Sequence, residues 1–342
     1  MKLLRTVACL ATGIALATLT ACNSGSNSGR TKVAFISNNP YEFWTYARKG
    51  TEQAAKDFDV DVEFYMPPLG KAEEQRQAIE DFLAKGIQGI AISPNDAANQ
   101  AEFLNGVADQ IPLITQDSDL PAGSKRLCYI GTNNYDAGKA VGKLVKEAVP
   151  DGGKIVIYVG KLDVQNAVER RQGVLDELAG ERDAHKEQLE KSEYPIKFGK
   201  YTLLDTMTDD AKEEKCKANV EATLAKESDV RCLIGLWAYN PPAMLSAVRD
   251  AIKIGKVRKG QIALVGFDEN QETLQGIEDG MILATVVQQP YKFGYEAVHL
   301  LSQLAKGDRS GLPKNGILYI PHRVIKKDNV ENFRAELQKL RS

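Results

Sequence analysis

Short, almost wholly apolar runs alternate along this chain with longer stretches in which apolar residues recur every three or four positions. Val33-Ala-Phe-Ile-Ser37 is the first run, and residues 42–57 follow as an amphipathic helix. The pattern then gives a strand over 60–66, a helix over 73–84 closing on Gly86, and a buried-type strand over 89–93. A helix over 96–109, with Asp96 as its N-cap, leads to a strand over 112–115. A second series opens with a helix from Asn133 to Val149. It continues as strand 154–159, helix 165–178, strand 197–204, helix 209–226, strand 231–236 and helix 241–254, with Pro241 in the first turn of the last. Strand 262–266, helix 272–278 ending at Gly280, strand 281–287 and helix 291–304 complete it. The charged stretch 181–193 reads as a helical continuation or a solvated loop. Strand–helix alternation at this spacing argues for parallel sheets covered by helices on both faces. Two series imply two doubly wound α/β domains, and no sequence repeat relates them.

The first 30 residues break this pattern. A basic start (Lys2, Arg5) precedes an apolar run from Val7 to Leu19, which ends in Leu19-Thr20-Ala21-Cys22. This is a secretory signal closing on small residues and a cysteine, and the tetrapeptide looks like a lipobox, with Cys22 the lipidated residue. The apolar run is too short for a membrane-spanning helix. Asn23-Ser-Gly-Ser-Asn-Ser-Gly29 reads as a flexible polar tether. The globular part, from about Thr31, is thus expected outside the cytoplasm, held to a membrane by lipid alone.

Composition narrows the function classes only a little. A formal charge of −2 gives no global basic surface, which argues against nucleic acid as a partner. Beyond Cys9 and Cys22, three cysteines remain: Cys128, Cys216 and Cys232. An odd number allows one internal disulfide at most, Cys216–Cys232 being the pair considered, with buried free thiols as the other reading. No Cys/His spacing suggests zinc.

In open α/β sheets ligands sit beyond the carboxyl ends of the strands. The residues there are Ser37-Asn-Asn39, Ser93-Pro-Asn-Asp96, Gln116-Asp-Ser-Asp119, Asp163 to Asn166, Trp237-Ala-Tyr-Asn240, Phe267-Asp-Glu-Asn270 and Gln288-Gln289. The set is rich in amides and carboxylates and contains no histidine or cysteine. Such groups suit a neutral polyhydroxylated ligand, because each hydroxyl both donates and accepts. Aromatic faces can cover the C–H face of a sugar ring.

Four motifs carry a resemblance to a known family. They are Phe35-Ile-Ser-Asn-Asn-Pro-Tyr-Glu-Phe-Trp-Thr-Tyr-Ala-Arg-Lys-Gly-Thr-Glu52, Ala91-Ile-Ser-Pro-Asn-Asp96, Asn166-Ala-Val-Glu-Arg-Arg-Gln-Gly173, and Val265-Gly-Phe-Asp268 followed by Ala284-Thr-Val-Val-Gln-Gln-Pro290. With them, residues 31–330 resemble the periplasmic sugar-binding proteins of ABC transporters, of the ribose and glucose/galactose type. The resemblance implies two lobes of the type I periplasmic binding protein, 31–133 with 289–320 and 134–288 with 321–342, joined by three crossovers near Asn133, Gln289 and Ile320. It implies a monomer that closes on a monosaccharide by hinge motion and serves an ABC permease, with no enzymatic activity and no cofactor.

The resemblance also implies site residues. Phe43 and Trp44 fall where members stack an aromatic on the sugar, and they also read as the core face of the first helix; adjacent residues cannot share one helical face, so at least one is expected in the cleft. Asn38, Ser93, Asp117, Asp268 and Gln288 fall at polar positions after strands. Asn166 and Arg170, four apart, share one face at a helix start, although Arg170 also reads as a surface partner of Glu169 or Glu177. Asn240 reads as a ligand contact or as a simple cap before Pro241. There are departures. Val168 and Ser118 stand where ribose binders carry arginine, and Tyr41 replaces an Asn or Asp. No second stacking aromatic lies within 205–210, for which Trp237 is the substitute. The metal loop of some hexose binders has no counterpart, so no calcium is expected.

Other classes fit less well. The sugar-responsive repressors of the same fold need an N-terminal helix-turn-helix where this chain has a signal and tether. A glycoside hydrolase would need Asp117, Asp268 and Glu269 as acid and base, with no nucleophile–base–orienter set visible. A sensor feeding a chemoreceptor or membrane kinase, or a nucleoside binder, would use the same cleft.

Overall fold

The computed structural model describes residues 29–341; the signal, the lipobox and Cys22 lie outside them. Residues 31–341 form one compact unit built on two sheets. The first contains β1 (Thr31–Ile36), β2 (Val60–Tyr65), β3 (Ile90–Ile92), β4 (Leu113–Gln116), β5 (Cys128–Gly131) and, from far down the chain, β12 (Ile317–Tyr319). Its order is β12-β5-β4-β3-β1-β2, and every pairing is parallel. α1 (Glu42–Asp57), α2 (Ala72–Ala84), α3 (Ala97–Ala108) and α10 (Pro290–Leu304) belong to it. Val33 and Phe35 pack with Trp44 and Phe293 on one face; Ala34 and Ile36 pack with Ile79 and Leu104 on the other. Burial on both faces is why β1 reads as a continuous apolar run.

The second sheet contains β6 (Gly153–Val159), β7 (Ile196–Phe198), β8 (Tyr201–Thr208), β9 (Val230–Gly235), β10 (Ala263–Phe267), β11 (Ala284–Val287) and β13 (Arg323–Lys326), in the order β13-β11-β10-β9-β6-β8-β7. Its helices are α4 (Asn134–Ala148), α5 (Gln165–Ala179), α6 (Lys186–Glu190), α7 (Glu213–Lys226), α8 (Asn240–Lys253), α9 (Gln271–Glu278) and α11 (Val330–Arg341). The chain passes from one sheet to the other after β5, after β11 and between β12 and β13. Thus α4 packs on α5, β10 and β11, while α10 packs on α1 and the first sheet. We call each sheet with its helices a lobe.

The sequence reading holds for most elements and fails in specific places. Asp96 caps α3, its carboxylate accepting from the Asn99 N–H at 3.2 Å. The second sheet is not wholly parallel, since β7 and β13 run antiparallel at its two edges. The single strand expected over 197–204 is a hairpin that turns at Gly199 (φ +54°). The helix expected from 209 begins at Glu213, because Asp210 and Ala211 adopt φ of +56° and +60° and cannot extend it. The stretch 181–193 does not continue α5, which stops on left-handed Gly180; it holds only the short α6. β5, β12, β13 and α11 have no counterpart in the sequence pattern. Cys128, Cys216 and Cys232 are all free and buried, Cys216 and Cys232 lying in separate apolar clusters of the second lobe.

Candidate functional site

β4 and β10 hold equivalent places in their sheets, and each runs into an aspartate. Asp117 and Asp268 both adopt φ +61°, the left-handed region that aspartate tolerates better than most side chains. Each turn is fastened by the next strand in the same way. The Asp117 N–H donates to the Ile130 carbonyl at 3.0 Å, and the Asp268 N–H donates to the Val286 carbonyl at 2.7 Å. The Tyr129 hydroxyl donates to the Asp117 carbonyl at 2.9 Å, and the Thr285 hydroxyl donates to the Asp268 carbonyl at 2.8 Å. The two carboxylates are thereby set at corresponding corners of the two lobes.

On the first lobe the Asp117 carboxylate gathers Asn38 and Ser93. Asn38 Nδ2 donates to Ser93 Oγ at 3.1 Å and to Asp117 Oδ2 at 3.4 Å, and Ser93 Oγ donates to the same oxygen at 3.1 Å. Trp44 Nε1 donates to Asn38 Oδ1 at 3.0 Å. Trp44 is buried in the core and meets Phe43 edge-on, ring centroids 4.9 Å apart. Phe43 is the half-buried member of the pair.

On the second lobe, Gln288 Nε2 donates to Asp268 Oδ1 at 3.0 Å. Arg170, only 3% exposed, is no surface partner of Glu169 or Glu177. Its Nε donates to Asn134 Oδ1 and its Nη1 to the Leu236 carbonyl, both at 2.9 Å, and its guanidinium lies 3.8 Å over the Phe267 ring. α5 can bring it there because α4 offers no side chain at the crossing: a Cβ on Gly138 would stand 2.2 Å from the Arg170 carbonyl oxygen.

Electrostatics join the two corners. Burial lowers the Arg170 pKa from its ordinary value, opposed first by Asp268 and then by Asp117. Burial pushes the Asp117 carboxyl up to about 6, against the pull of Arg170 and the Ser93 hydrogen bond. Asp268 is raised by burial too, with Arg170 and Gln288 opposing. Arg170 is therefore the counter-charge that carboxylates from both lobes share.

Trp237 supplies an aromatic at the end of β9. Its ring lies on Gly160, where a Cβ would approach it to 1.8 Å, and its Nε1 donates to Asn166 Oδ1 at 3.1 Å. Asn240 is wholly buried and its side chain is engaged inside the lobe: Oδ1 accepts from the Trp237 N–H at 2.8 Å, and Nδ2 donates to Asp209 Oδ2 at 3.0 Å. It braces the Trp237 turn from beneath. The Tyr239 hydroxyl also donates to Asp209.

Sequence reasoning did not single out several participants. Tyr129 and Asn134 reach the corners from other elements, and Asp209 and Tyr239 hold the Trp237 turn. Gln75 is fully buried and ties two loops together. Its Nε2 donates to the Ser37 and Ser93 carbonyls at 2.8 and 2.7 Å, and its Oε1 accepts from the Asn95 N–H at 3.1 Å. A glutamine on the otherwise apolar face of α2, beside Ala78, Ile79 and Phe82, was the available signal. Buried acceptors and donors around a shared guanidinium charge, with the half-buried Phe43 and Trp237 rings at the edges, form a site that can hydrogen-bond many hydroxyls and cover a ring.

Comparison with known proteins places this geometry. Residues 33–309 match the periplasmic binding protein domain. The chain is 23% identical over 309 residues to the ribose import binding protein RbsB of Escherichia coli (strain K12), covering 90% of this chain and 94% of that protein. It is 23% identical over 284 residues to the D-allose-binding periplasmic protein of the same organism, covering 80% and 83%. Among solved structures, an ABC transporter solute-binding protein from Burkholderia graminis C4D1M in complex with D-arabinose superposes with a TM-score of 0.75 at 28% identity, covering 87% of this chain and 96% of that one. Two α/β lobes crossed three times, a ligand-type constellation between their strand ends and a match over most of the length agree: the chain belongs to the periplasmic binding protein family, with the type I fold.

Proposed function

We propose that this protein is an extracytoplasmic solute-binding lipoprotein that captures a monosaccharide or related polyol between its lobes and delivers it to an ABC permease. Lipid on Cys22 holds it to a membrane, and the lobes close on the ligand as bodies about the three crossovers. The observation that carries the reading is the matched pair of corners: Asp117 and Asp268 stand past equivalent strands of opposite lobes in the same left-handed turn, and the charge of the buried Arg170 acts on both. Asn38, Ser93 and Gln288 complete the polar set, and Phe43, Trp237 and Asn166 form its edges, while Trp44, buried in the core, holds Asn38 from behind. Relatives named for ribose and D-allose support a sugar as the ligand class.

Thermal unfolding of the full chain against pentoses, hexoses, polyols and nucleosides tests this. A ligand that binds only the folded state adds about 2.7 kcal/mol at 100 times its Kd. One sugar class should raise Tm by several degrees, and Asp268→Ala should abolish the rise. A rise with nucleosides alone would keep the family and overturn the sugar.

A further inference from the structure

A second contact between the lobes lies away from the shared arginine. α11 is packed on the second lobe through Val330, Phe333 and Leu337, and it lies beyond the residues that match the family domain. Its last turn reaches the first lobe. Arg341 Nη2 stands 2.6 Å from Glu42 Oε1, in the first turn of α1, and Arg341 Nε donates to the Tyr46 hydroxyl at 3.0 Å. Tyr46 is 2% exposed although it belongs to a first-lobe helix. Its ring is part of the second lobe's apolar cluster with Val287, Ile325, Val330 and Phe333.

Glu269, next after Asp268, lies within the electrostatic field of this contact. Both its carboxylate oxygens are buried, and neither is hydrogen-bonded to another residue. The charges that act on it are Asp268 on its own loop, Glu42 on α1 and Arg341 on α11, with Tyr46 also within reach of its field. Two of those charges repel it and one attracts it. Burial, and then Asp268, push its carboxyl well above the usual carboxylate range, so closing makes this group give up either its water or its charge, and that opposes the closed arrangement.

We propose that the C-terminal helix is a clasp, Arg341 gripping Glu42 and Tyr46 across the seam, that works against the buried Glu269 to set how far the lobes stay closed without ligand. The proposal rests on the reading that the lobes open and close. The pair is two opposed devices, so its variants should act with opposite signs. Removing Arg341 frees the grip and favours opening. Replacing the ionisable Glu269 carboxyl by an amide takes away that opposition and favours closing.

The test is the distance distribution between spin labels in the ligand-free full chain, one on α2 at Gln77 and one on α7 at Glu221, the three cysteines among the described residues being buried. Arg341→Ala and Glu42→Gln should each raise the open-to-closed ratio by about fivefold, the range expected for a half-exposed ion pair with one added hydrogen bond. Glu269→Gln should lower it. Arg334→Ala removes a pair to Glu278 at 3.2 Å within the second lobe and should leave the ratio unchanged. If saturating D-ribose or D-allose narrows the distribution while Arg341→Ala and Glu42→Gln match the wild type, the clasp is overturned and the hinge reading stands. If no variant and no sugar moves it, the lobes do not move as bodies and both readings fall.

Discussion

The Asp117 and Asp268 corners are one piece of backbone built twice from unrelated sequence. Strand position, left-handed φ, the N–H bond to the neighbouring strand and the hydroxyl on the aspartate carbonyl all correspond. The partners of the carboxylates do not. Asp117 has neutral donors, Asn38 and Ser93, while Asp268 has Gln288 and lies in the lobe that carries Arg170. The second corner is thus electrostatically complete within its own lobe. The first reaches its counter-charge only across the gap. The doubled backbone sets where the two acceptors stand, and the unequal side chains make the first corner depend on the second.

The sharpest way to break this comparison is to remove the shared charge. Arg170→Met leaves two carboxylates without their shared counter-charge and the Asn134 and Leu236 oxygens without their buried donor, and should cost about 3–5 kcal/mol in chemical denaturation. Next, Asp268→Asn should weaken sugar binding, read by calorimetry, by about 1.5–3 kcal/mol, the loss of one charge-assisted hydrogen bond. Asp117 adds a dependence on pH. Its carboxyl is raised to about 6 from its ordinary value near 4, so between those values the folded form holds a proton that the unfolded chain has released. Stability of the ligand-free protein should fall as pH rises from about 4 to 6, and Asp117→Asn should flatten that part of the profile. Finer still, Thr285→Val and Tyr129→Phe should each cost about 1 kcal/mol, the two values agreeing if the corners are built alike. Ser118→Ala, which removes only a 3.5 Å contact to Asp117, should change stability by less than about 0.5 kcal/mol.

How much of this the residues disclose follows the same division. Strands buried on both faces, such as Ile90–Ile92, and helices with strong caps announce themselves. The rule that ligands lie past strand ends leads straight to Asp117 and Asp268. Short strands with mixed burial do not announce themselves: Ile317–Tyr319 is half-exposed and sits in the first sheet only because the chain returns there. Asp210 and Ala211 are non-glycine residues in left-handed backbone, so nothing local marks the late start of α7. Arg170 was visible as a helix residue, whereas its partner Asn134 and the close approach at Gly138 exist only once α4 and α5 pack. Asn240 shows the limit of position alone. It lies at a strand end, yet a carboxylate from another loop, Asp209, claims its amide.

The three buried thiols have a kinetic consequence. Cys128 belongs to the core beside β1 and Phe293, while Cys216 and Cys232 belong to the two separate clusters of the second lobe. Burial pushes their thiols up to about 11, 12 and 12 respectively, so in the folded protein these three offer almost no thiolate to an oxidant or alkylating reagent. Each sulfur reacts only when its own cluster comes apart. The molecule therefore carries a separate clock for each of three regions, and the order in which the cysteines are modified reads out which part of the chain lets go first.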